Sequence, residues 1–551
     1  MVYYQGISYR QIAGKIKTGY AELQERIWML ENAMKQLQSK RRILSGYVFC
    51  ALVAAVPLII CSKSSPLYPF NDWPDVNMFF TMGKGMLHGR VPYMDLMEQK
   101  GPYVYAIGAI GYLLSPKGFQ GYFLFELISM FCFIFYAYKT IRLYSENPAL
   151  WVLPFLSAGV VAAKSFVHGG SLEELSLGIF AYAIYSLLLH LRSEEKKTMP
   201  AVTLAVNGMW AGILFWSKFT LLGLYIAWIM VVALEALWKK RWREFICSIA
   251  IFLGAMSAMT IPWLIYFGAH GAVVDWLKAY LWDNIFGYAQ WNGSLLQKFQ
   301  TAILNVLRSL KDSRNGTYSI LTVGGTLFYA CCPAKKVTWK EKIAVACMGL
   351  FMGVGIFVGE TKHDYYGLPL SVFVIFGGIG LVMLSGGLAE WLRAWLKGAA
   401  GIVYAAFLVL LAGVCTYAAY RISPNTYLLA MEQEQMPQFR FAERIQESSD
   451  RSVLNYGFLD GGFYTVLEVV PSERAFCVLN RNPGEILEEQ NRYVRERRTH
   501  FVVTWRAYPV SREELLQFPV VSEYYELVDY LYFEFEGGIR TYALYERRKE
   551  H

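Results

Sequence analysis

The 551-residue chain is 55% hydrophobic and 16% aromatic, with 17% charged residues and a formal net charge of +9. A soluble chain of this length carries about 25% charged residues, and the same figures exclude disordered, collagenous and disulfide-scaffold classes. What remains is a polytopic membrane protein. Nine cysteines are scattered through apolar stretches, only Cys331 and Cys332 being adjacent, and no CxxC or Cys/His spacing suggests zinc or a disulfide framework. The charge is uneven: residues 421–551 carry 16 Lys+Arg against 21 Asp+Glu, net −5, and residues 1–420 carry 36 against 22, net +14. A basic membrane body and an acidic tail point to different compartments. They do not point to nucleic acid, because no basic run is interleaved with aromatics.

Residues 1–42 are polar and helical in pattern. Ile16, Tyr20, Leu23, Ile27, Leu30, Met34 and Leu37 follow alternating steps of four and three, a seam of three heptads. It reads as a cytoplasmic coiled coil that pairs two copies or recruits a partner through residues 16–37, or as an amphipathic helix on the membrane. The first span, Leu44 to Cys61, follows Lys40-Arg41-Arg42, which places the N-terminus inside; it reads as an uncleaved anchor.

A crossing needs about 20 apolar residues. Further spans are expected at 121–139, 149–166, 175–190, 200–216, 219–238, 245–267, 317–333, 343–359, 366–384 and 399–420, making eleven. Basic residues at alternate ends support the topology, among them Lys139 and Arg142, Arg192, Lys239-Lys240-Arg241, and Lys335, Lys336, Lys340 and Lys342. The segment at 103–114 is apolar but twelve residues long and reads as an interfacial or re-entrant helix. Long outer loops are then expected at 62–102 and 268–316. The expected organisation is a helix at 1–42, a transmembrane domain at 43–420 and an extracytoplasmic α/β domain at 421–551. In that tail SVLNYGF and HFVVTW read as strands, EILEEQNRYVRERR as a helix, and YLYFEFEGGIRTYALYE as a hairpin.

The first outer loop holds Asp72, Asp75, Asp95, Glu98 and Lys100. Scattered solvated charge would explain them in most membrane proteins, but membrane-seeking pieces such as VNMFFTMGKGML hold these acids against the bilayer surface. Lys218 lies between two spans joined by almost no loop, where charge is costly and functional by default, with snorkelling as the bland alternative. Lys164 reads as a snorkelling lysine. Ser171-x-x-Glu174 reads as a helix cap, which leaves Glu173 unexplained.

The chain resembles the GT-C fold family of lipid-linked sugar transferases, in the branch of protein O-mannosyltransferases, the aminoarabinose transferase of lipid A and bacterial cell-surface polysaccharide glycosyltransferases. The resemblance covers about residues 43–420. It rests on Asp75 shortly after the first span, Pro92-Tyr93-Met94-Asp95, Lys100-Gly101-Pro102, His168-Gly169-Gly170-Ser171-Leu172-Glu173-Glu174 and His363-Asp364-Tyr365-Tyr366-Gly367-Leu368-Pro369. It implies a bacterial plasma-membrane enzyme moving a sugar from a polyprenyl-phosphate donor to a cell-envelope acceptor, with membrane lipid as its surroundings. Asp75 is then the expected base and Asp95 an orienting acid. Lys100, Glu173, Glu174, Lys218, His363 and Tyr365 are the expected substrate contacts. Many relatives carry an acidic pair where this chain has Asp75-Val76; a second carboxylate would come from Asp72, Asp95 or Glu173. No metal ligand set is expected, although carboxylates at the mouth could hold a divalent cation. A transporter or flippase of lipid-linked saccharides is the alternative; it should show mid-membrane charge and internal repeats, whereas here the charges cluster at span ends. A scaffold would leave the loop acids without a purpose.

Overall fold

The computed structural model describes residues 44–145, 149–193, 198–287, 294–359, 363–386, 400–480, 483–535 and 538–549. The heptad seam at 16–37 lies outside the described residues. Among the described residues, seven helical runs are long and apolar enough to cross a membrane: Leu44–Cys61, Gln120–Ile141, Leu172–Leu191, Ala201–Trp238, Trp242–Ala269, Asp364–Leu384 and Gly401–Ile422. The chain is a polytopic membrane protein with a small α/β region at its end.

In chain order the elements that place the site are α1 (Leu44–Cys61), α2 (Pro74–Leu87), α3 (Pro102–Leu114), α4 (Gln120–Ile141), α5 (Leu153–Val161), α6 (Leu172–Leu175) and α7 (Leu177–Leu191). Then come α8 (Ala201–Lys218), α9 (Gly223–Trp238), α10 (Trp242–Ala258), α11 (Ile261–Ala269), α12 (Val273–Leu277), α13 (Leu295–Lys311), α14 (Gly316–Cys331), α15 (Trp339–Ile356), α16 (Val374–Leu384) and α17 (Ala400–Ile422).

The 38-residue run at Ala201–Trp238 would be about 57 Å long if straight, nearly twice the hydrocarbon core. It breaks at Lys218, whose backbone is extended (φ −156°, ψ 95°), so α8 and α9 are two arms, as expected from the lysine in the apolar run. The expected spans at 149–166 and 317–333 are the shorter helices α5 and α14. The one at 343–359 is α15, which carries Lys340, Glu341 and Lys342 in its first turns. Helix α3 has 13 residues, roughly 20 Å, too short to cross. It packs against α2 at a close approach: a Cβ on Gly83 or Gly108 would strike the backbone of the facing helix, so glycine is required at both points.

The tail forms a four-stranded sheet of order β1-β2-β4-β3, with β1 at Val453–Asn455, β2 at Phe501–Arg506, β3 at Tyr525–Phe535 and β4 at Gly538–Arg547. β1 pairs parallel with β2, and β4 lies antiparallel between β2 and β3. The tail also holds helices α18 (Pro437–Gln446), α19 (Phe463–Val466) and α20 (Pro483–Arg495), with two short ones at Arg512–Leu516 and Val521–Tyr524. The strands, the helix and the hairpin are where the sequence pattern put them.

The tail is fastened onto α2 and the turn that follows it. Asp460 accepts from the Thr81 hydroxyl at 2.6 Å, and Lys84 Nζ donates to the Tyr464 carbonyl at 2.5 Å. The Met97 amide donates to the Arg474 carbonyl at 2.9 Å, and Arg474 Nε donates to the Met94 carbonyl at 3.1 Å.

Candidate functional site

Helix α2 has a favourable N-terminal sequence. Pro74 sits at the first helical position and Asp75 in the first turn, where fixed φ and a negative charge suit a helix N-terminus. Asn71 anchors this start: its side-chain oxygen accepts the Trp73 amide at 3.0 Å, and its Nδ2 donates to Ser64 Oγ at 3.0 Å and to the carbonyls of His168 and Gly169 at 3.3 Å. The start of α2 is thereby tied to the turn before α6. Gly169 and Gly170 have φ of +72° and +80°, the left-handed region that disfavours any residue with a Cβ. A Cβ on Gly170 would also come within 3.1 Å of Tyr122 and Val76.

Asp75 accepts a hydrogen bond from the Tyr365 hydroxyl at 3.2 Å, and Lys100 Nζ lies 3.7 Å from the same carboxylate. Lys100 is held by its backbone. Its amide donates to Glu98 at 2.6 Å, and its carbonyl accepts from Tyr93 at 2.6 Å and Tyr105 at 2.8 Å. The next residue, Gly101, donates its amide to the Ser217 carbonyl at 3.0 Å, which brings the Lys100 loop beside the break at Lys218. The Lys218 ammonium pairs with Glu173 and lies 3.9 Å above the Tyr366 ring and 5.4 Å from that of Tyr365. Snorkelling does not describe it: it is fixed between a carboxylate and two aromatic faces.

His363 stacks on Tyr365, with ring centroids 5.5 Å apart and planes 22° from parallel. Burial, opposed by Asp75 and aided by Lys218 and Lys100, lowers its pKa below the ordinary histidine value. At neutral pH it is an uncharged ring, so among the described residues the positive charge beside it comes from Lys100 and Lys218. Behind Tyr365, Trp73 and His168 stack face to face at 4.5 Å. The His168 imidazole is held well below its usual pKa, by burial first and then by Lys63 and His363.

Five segments distant in sequence thus meet: the start of α2, the Lys100 loop, the α6 turn, the α8–α9 break and the 363–366 segment. They gather Asp75, Lys100, Glu173, Lys218, His363 and Tyr365. Asp95 and Glu174 are used differently. Asp95 accepts the Val91 amide at 2.8 Å and closes the 91–96 turn, where Tyr93 has φ +70°. Glu174 has its own amide capped by Ser171 at 3.1 Å and turns its carboxylate onto the Gly170 amide at 2.8 Å. The expected cap at Ser171 is present, and Glu174 braces the glycine turn. Asp72 is taken up by Lys63 at 2.7 Å, both side chains being 1% exposed. Lys164 bridges Asp364 at 2.8 Å and Asp312 at 3.3 Å.

Trp73, His168 and Tyr366 belong to the cluster but were not singled out from the sequence as contacts. His168 and Tyr366 stand within the motifs that carry the resemblance, and Trp73 lies two positions before Asp75. Among the described residues no group of three or more His, Cys, Asp or Glu is placed to hold a metal ion.

Neither a family model nor a curated protein matches the chain. Solved structures do. ArnT from Cupriavidus metallidurans bound to undecaprenyl phosphate matches with a TM-score of 0.55 at 12% identity, covering 90% of this chain and 97% of that one. ArnT from Cupriavidus metallidurans in the apo state matches with a TM-score of 0.56 at 13% identity, covering 92% and 98%. The chain has the fold of ArnT. At such low identity the likeness is one of fold, and it extends over nearly the whole length of both chains. The ArnT fold is a GT-C fold, the architecture that the sequence motifs resemble.

Proposed function

We propose that this protein is a membrane glycosyltransferase that moves a sugar from a polyprenyl-phosphate donor to a hydroxyl of a cell-envelope glycan, lipid or protein, with Asp75 as the base. One observation carries the reading: within an ArnT fold, a carboxylate at a helix start meets Tyr365 and Lys100, with a second lysine, Lys218, in the adjoining cluster. ArnT has been crystallised with undecaprenyl phosphate, which supports a lipid phosphate as the ligand class here.

In this reaction the acceptor oxygen forms a bond to the anomeric carbon, and the bond from that carbon to the phosphate oxygen breaks. Asp75 takes the hydroxyl proton, as a general base within hydrogen-bond reach does. The polyprenyl phosphate leaves with the electron pair. Its second pKa is about 6, so no acid is needed to protonate it, in contrast to glycoside hydrolysis. The developing charge needs fixed cations in a site of low dielectric. Lys100 supplies one beside the base. Lys218 supplies the other, with Glu173 and the Tyr366 face holding its ammonium in place. Tyr365 and uncharged His363 offer hydrogen bonds to sugar or phosphate oxygens. Asp95 and Glu174 act on the loops that bear the site.

The proposal places the enzyme in a bacterial plasma membrane, with residues 1–42 cytoplasmic and 421–551 outside, shaping access for the acceptor. The gathering of ionisable groups at helix ends favours transfer over translocation.

The test uses purified protein in lipid nanodiscs, given polyprenyl-phosphate sugars and a cell-envelope extract, with donor loss and product followed by mass spectrometry. Turnover that disappears in folded Asp75→Asn supports both class and base. Turnover that survives keeps the class and moves the base to another carboxylate. Absence of any donor turnover or binding in the wild type removes the proposal.

A further inference from the structure

The segments between spans on the expected inner side, noted above only as markers of topology, come together around a cavity of about 440 Å³, within the range typical of ligand sites. It lies at the far end of the helices that lead away from the Asp75 cluster. Helix α7 follows the turn of Glu173, α9 follows Lys218, and α15 runs back toward His363. They have 15, 16 and 18 residues, so roughly 22 to 27 Å separates their two ends.

The cavity is lined by Arg192, Lys239, Lys335, Lys336 and Lys340 against two acids, Glu235 and Glu341. Both acids are already committed. Glu341 takes Arg192 at 3.0 Å and the Tyr144 hydroxyl at 2.6 Å on one oxygen, while its other oxygen caps α15 through Thr338 at 2.7 Å. Glu235 takes His190 at 2.8 Å and Lys239 at 2.9 Å, with Lys340 reaching it only at 3.8 Å. Lys335 and Lys336 have no acidic partner among the described residues. Arg192 is fixed further by the Lys336 carbonyl at 3.1 Å and by the Tyr144 ring, 4.3 Å below its guanidinium. Among the described residues, the concave lining therefore carries five Lys and Arg side chains against two acids, a surplus of three positive charges.

Its depth is marked by tryptophans. Trp339 belongs to the lining and is 57% exposed, while Trp238 and Trp242, either side of the lining residue Lys239, are 79% and 62% exposed. Exposed indoles beside lysines mark the head-group level of a bilayer. Cations in a pocket between spans at that level recognise phosphate head groups.

We propose that this cavity binds the head group of an anionic phospholipid, the two phosphates of a diphosphatidylglycerol fitting its surplus charge, at the membrane face opposite the Asp75 cluster. A soluble phosphate compound shares the chemistry; the tryptophans favour the lipid. The inference does not depend on the proposed transferase activity.

The experiment uses the full chain, delipidated in detergent, with bound lipid counted by native mass spectrometry during titration with diphosphatidylglycerol, phosphatidylglycerol or phosphatidylcholine. Wild type should prefer diphosphatidylglycerol. Lys335→Gln/Lys336→Gln should weaken its binding about 30-fold, from the cost expected for two Lys–phosphate contacts. Lys240→Gln/Arg243→Gln, which removes equal charge from the same end outside the cavity lining, should leave it within about threefold. Melting temperatures verify that both variants fold. Equal losses in the two variants, or equal binding of phosphatidylcholine, would overturn the proposal. Full displacement of the lipid by millimolar inorganic phosphate would assign the cavity to a soluble ligand and overturn the lipid assignment.

Discussion

Helix α2 carries two ionisable groups nine positions apart, Asp75 and Lys84, and the fold treats its two ends in opposite ways. At the N-terminal end, Asp75 meets Tyr365 and Lys100 through side chains alone, at 3.2 and 3.7 Å, so a substrate can replace or insert between these partners. Toward the C-terminal end, Lys84 is 0% exposed and donates to a backbone carbonyl of the tail, with Asp460 nearby bound to Thr81, Asn455 and the Gly462 amide. Burial lowers the Lys84 pKa to about 7, against the opposing attraction of Asp460, and burial raises that of Asp460. One end is a site with exchangeable partners; the other is a clamp. Charge on a loop helix therefore does not by itself signal chemistry. What distinguishes the two groups is that Lys84 is sealed against a backbone carbonyl, whereas Asp75 meets side chains that can yield.

The contrast is broken most severely at Asp75. Asp75→Asn should lower donor turnover by about 10²- to 10⁴-fold, the usual worth of a positioned base, with an unchanged melting temperature. If the variant melts early instead, Asp75 belongs to the scaffold and the comparison fails. Lys100→Met should reduce kcat/KM for the lipid donor by roughly 100-fold, as for loss of one preorganised charge contact, and Lys100→Arg should restore part of it. Wild-type rates in Lys100→Met would leave Lys100 as a counter-charge only.

The clamp is read by pH. The unfolded lysine holds its proton up to about 10.5, whereas buried Lys84 gives it up near 7, so the unfolded state binds more protons between those values. Stability from this residue must rise as pH goes from 7 toward 10 and stay flat below 7. Melting curves of wild type and Lys84→Met should diverge in favour of wild type over that interval; parallel curves would show that Lys84 is not sealed by the tail. The smallest effect is expected at the turn that supports the open end. Gly170→Ala, at φ +80°, should destabilise by about 1 to 3 kcal/mol in denaturant titration and lower turnover through the displaced Asn71 and Glu173. A neutral result would mean that the turn does not position the site.

Much of this was legible in the chain. Lys218 reads as a break in an apolar run, and SVLNYGF and HFVVTW read as strands. These are local properties, fixed by dihedral preference and hydrophobic period. The expected spans at 149–166, 317–333 and 343–359 are helices, but shorter or more charged than a full crossing. The local pattern places Asp72, Asp75, Asp95 and Glu98 on one loop, and only the family resemblance sets Asp75 apart as the expected base and Asp95 as an orienting acid. Asp72 is consumed by Lys63, Asp95 by the Val91 amide, and Glu98 by the Lys100 amide and the Tyr105 hydroxyl. Asp75 is left among side chains.

By itself the sequence determined a polytopic helical body, an acidic α/β tail and basic segments at one set of helix ends, because hydropathy, period and charge act over a few turns of chain. Only the tertiary structure decided which carboxylate faces a tyrosine and a lysine. Tyr365 lies 290 positions from Asp75, and Trp73 reaches its stacking partner only through the Asn71 anchor on the His168 turn. The basic cavity has the same origin, since Arg192, Lys239 and Lys336 come from three separate connections. The fate of an ionisable group is set by the atoms that replace its water, and here those atoms come from segments that meet only once the helices have packed.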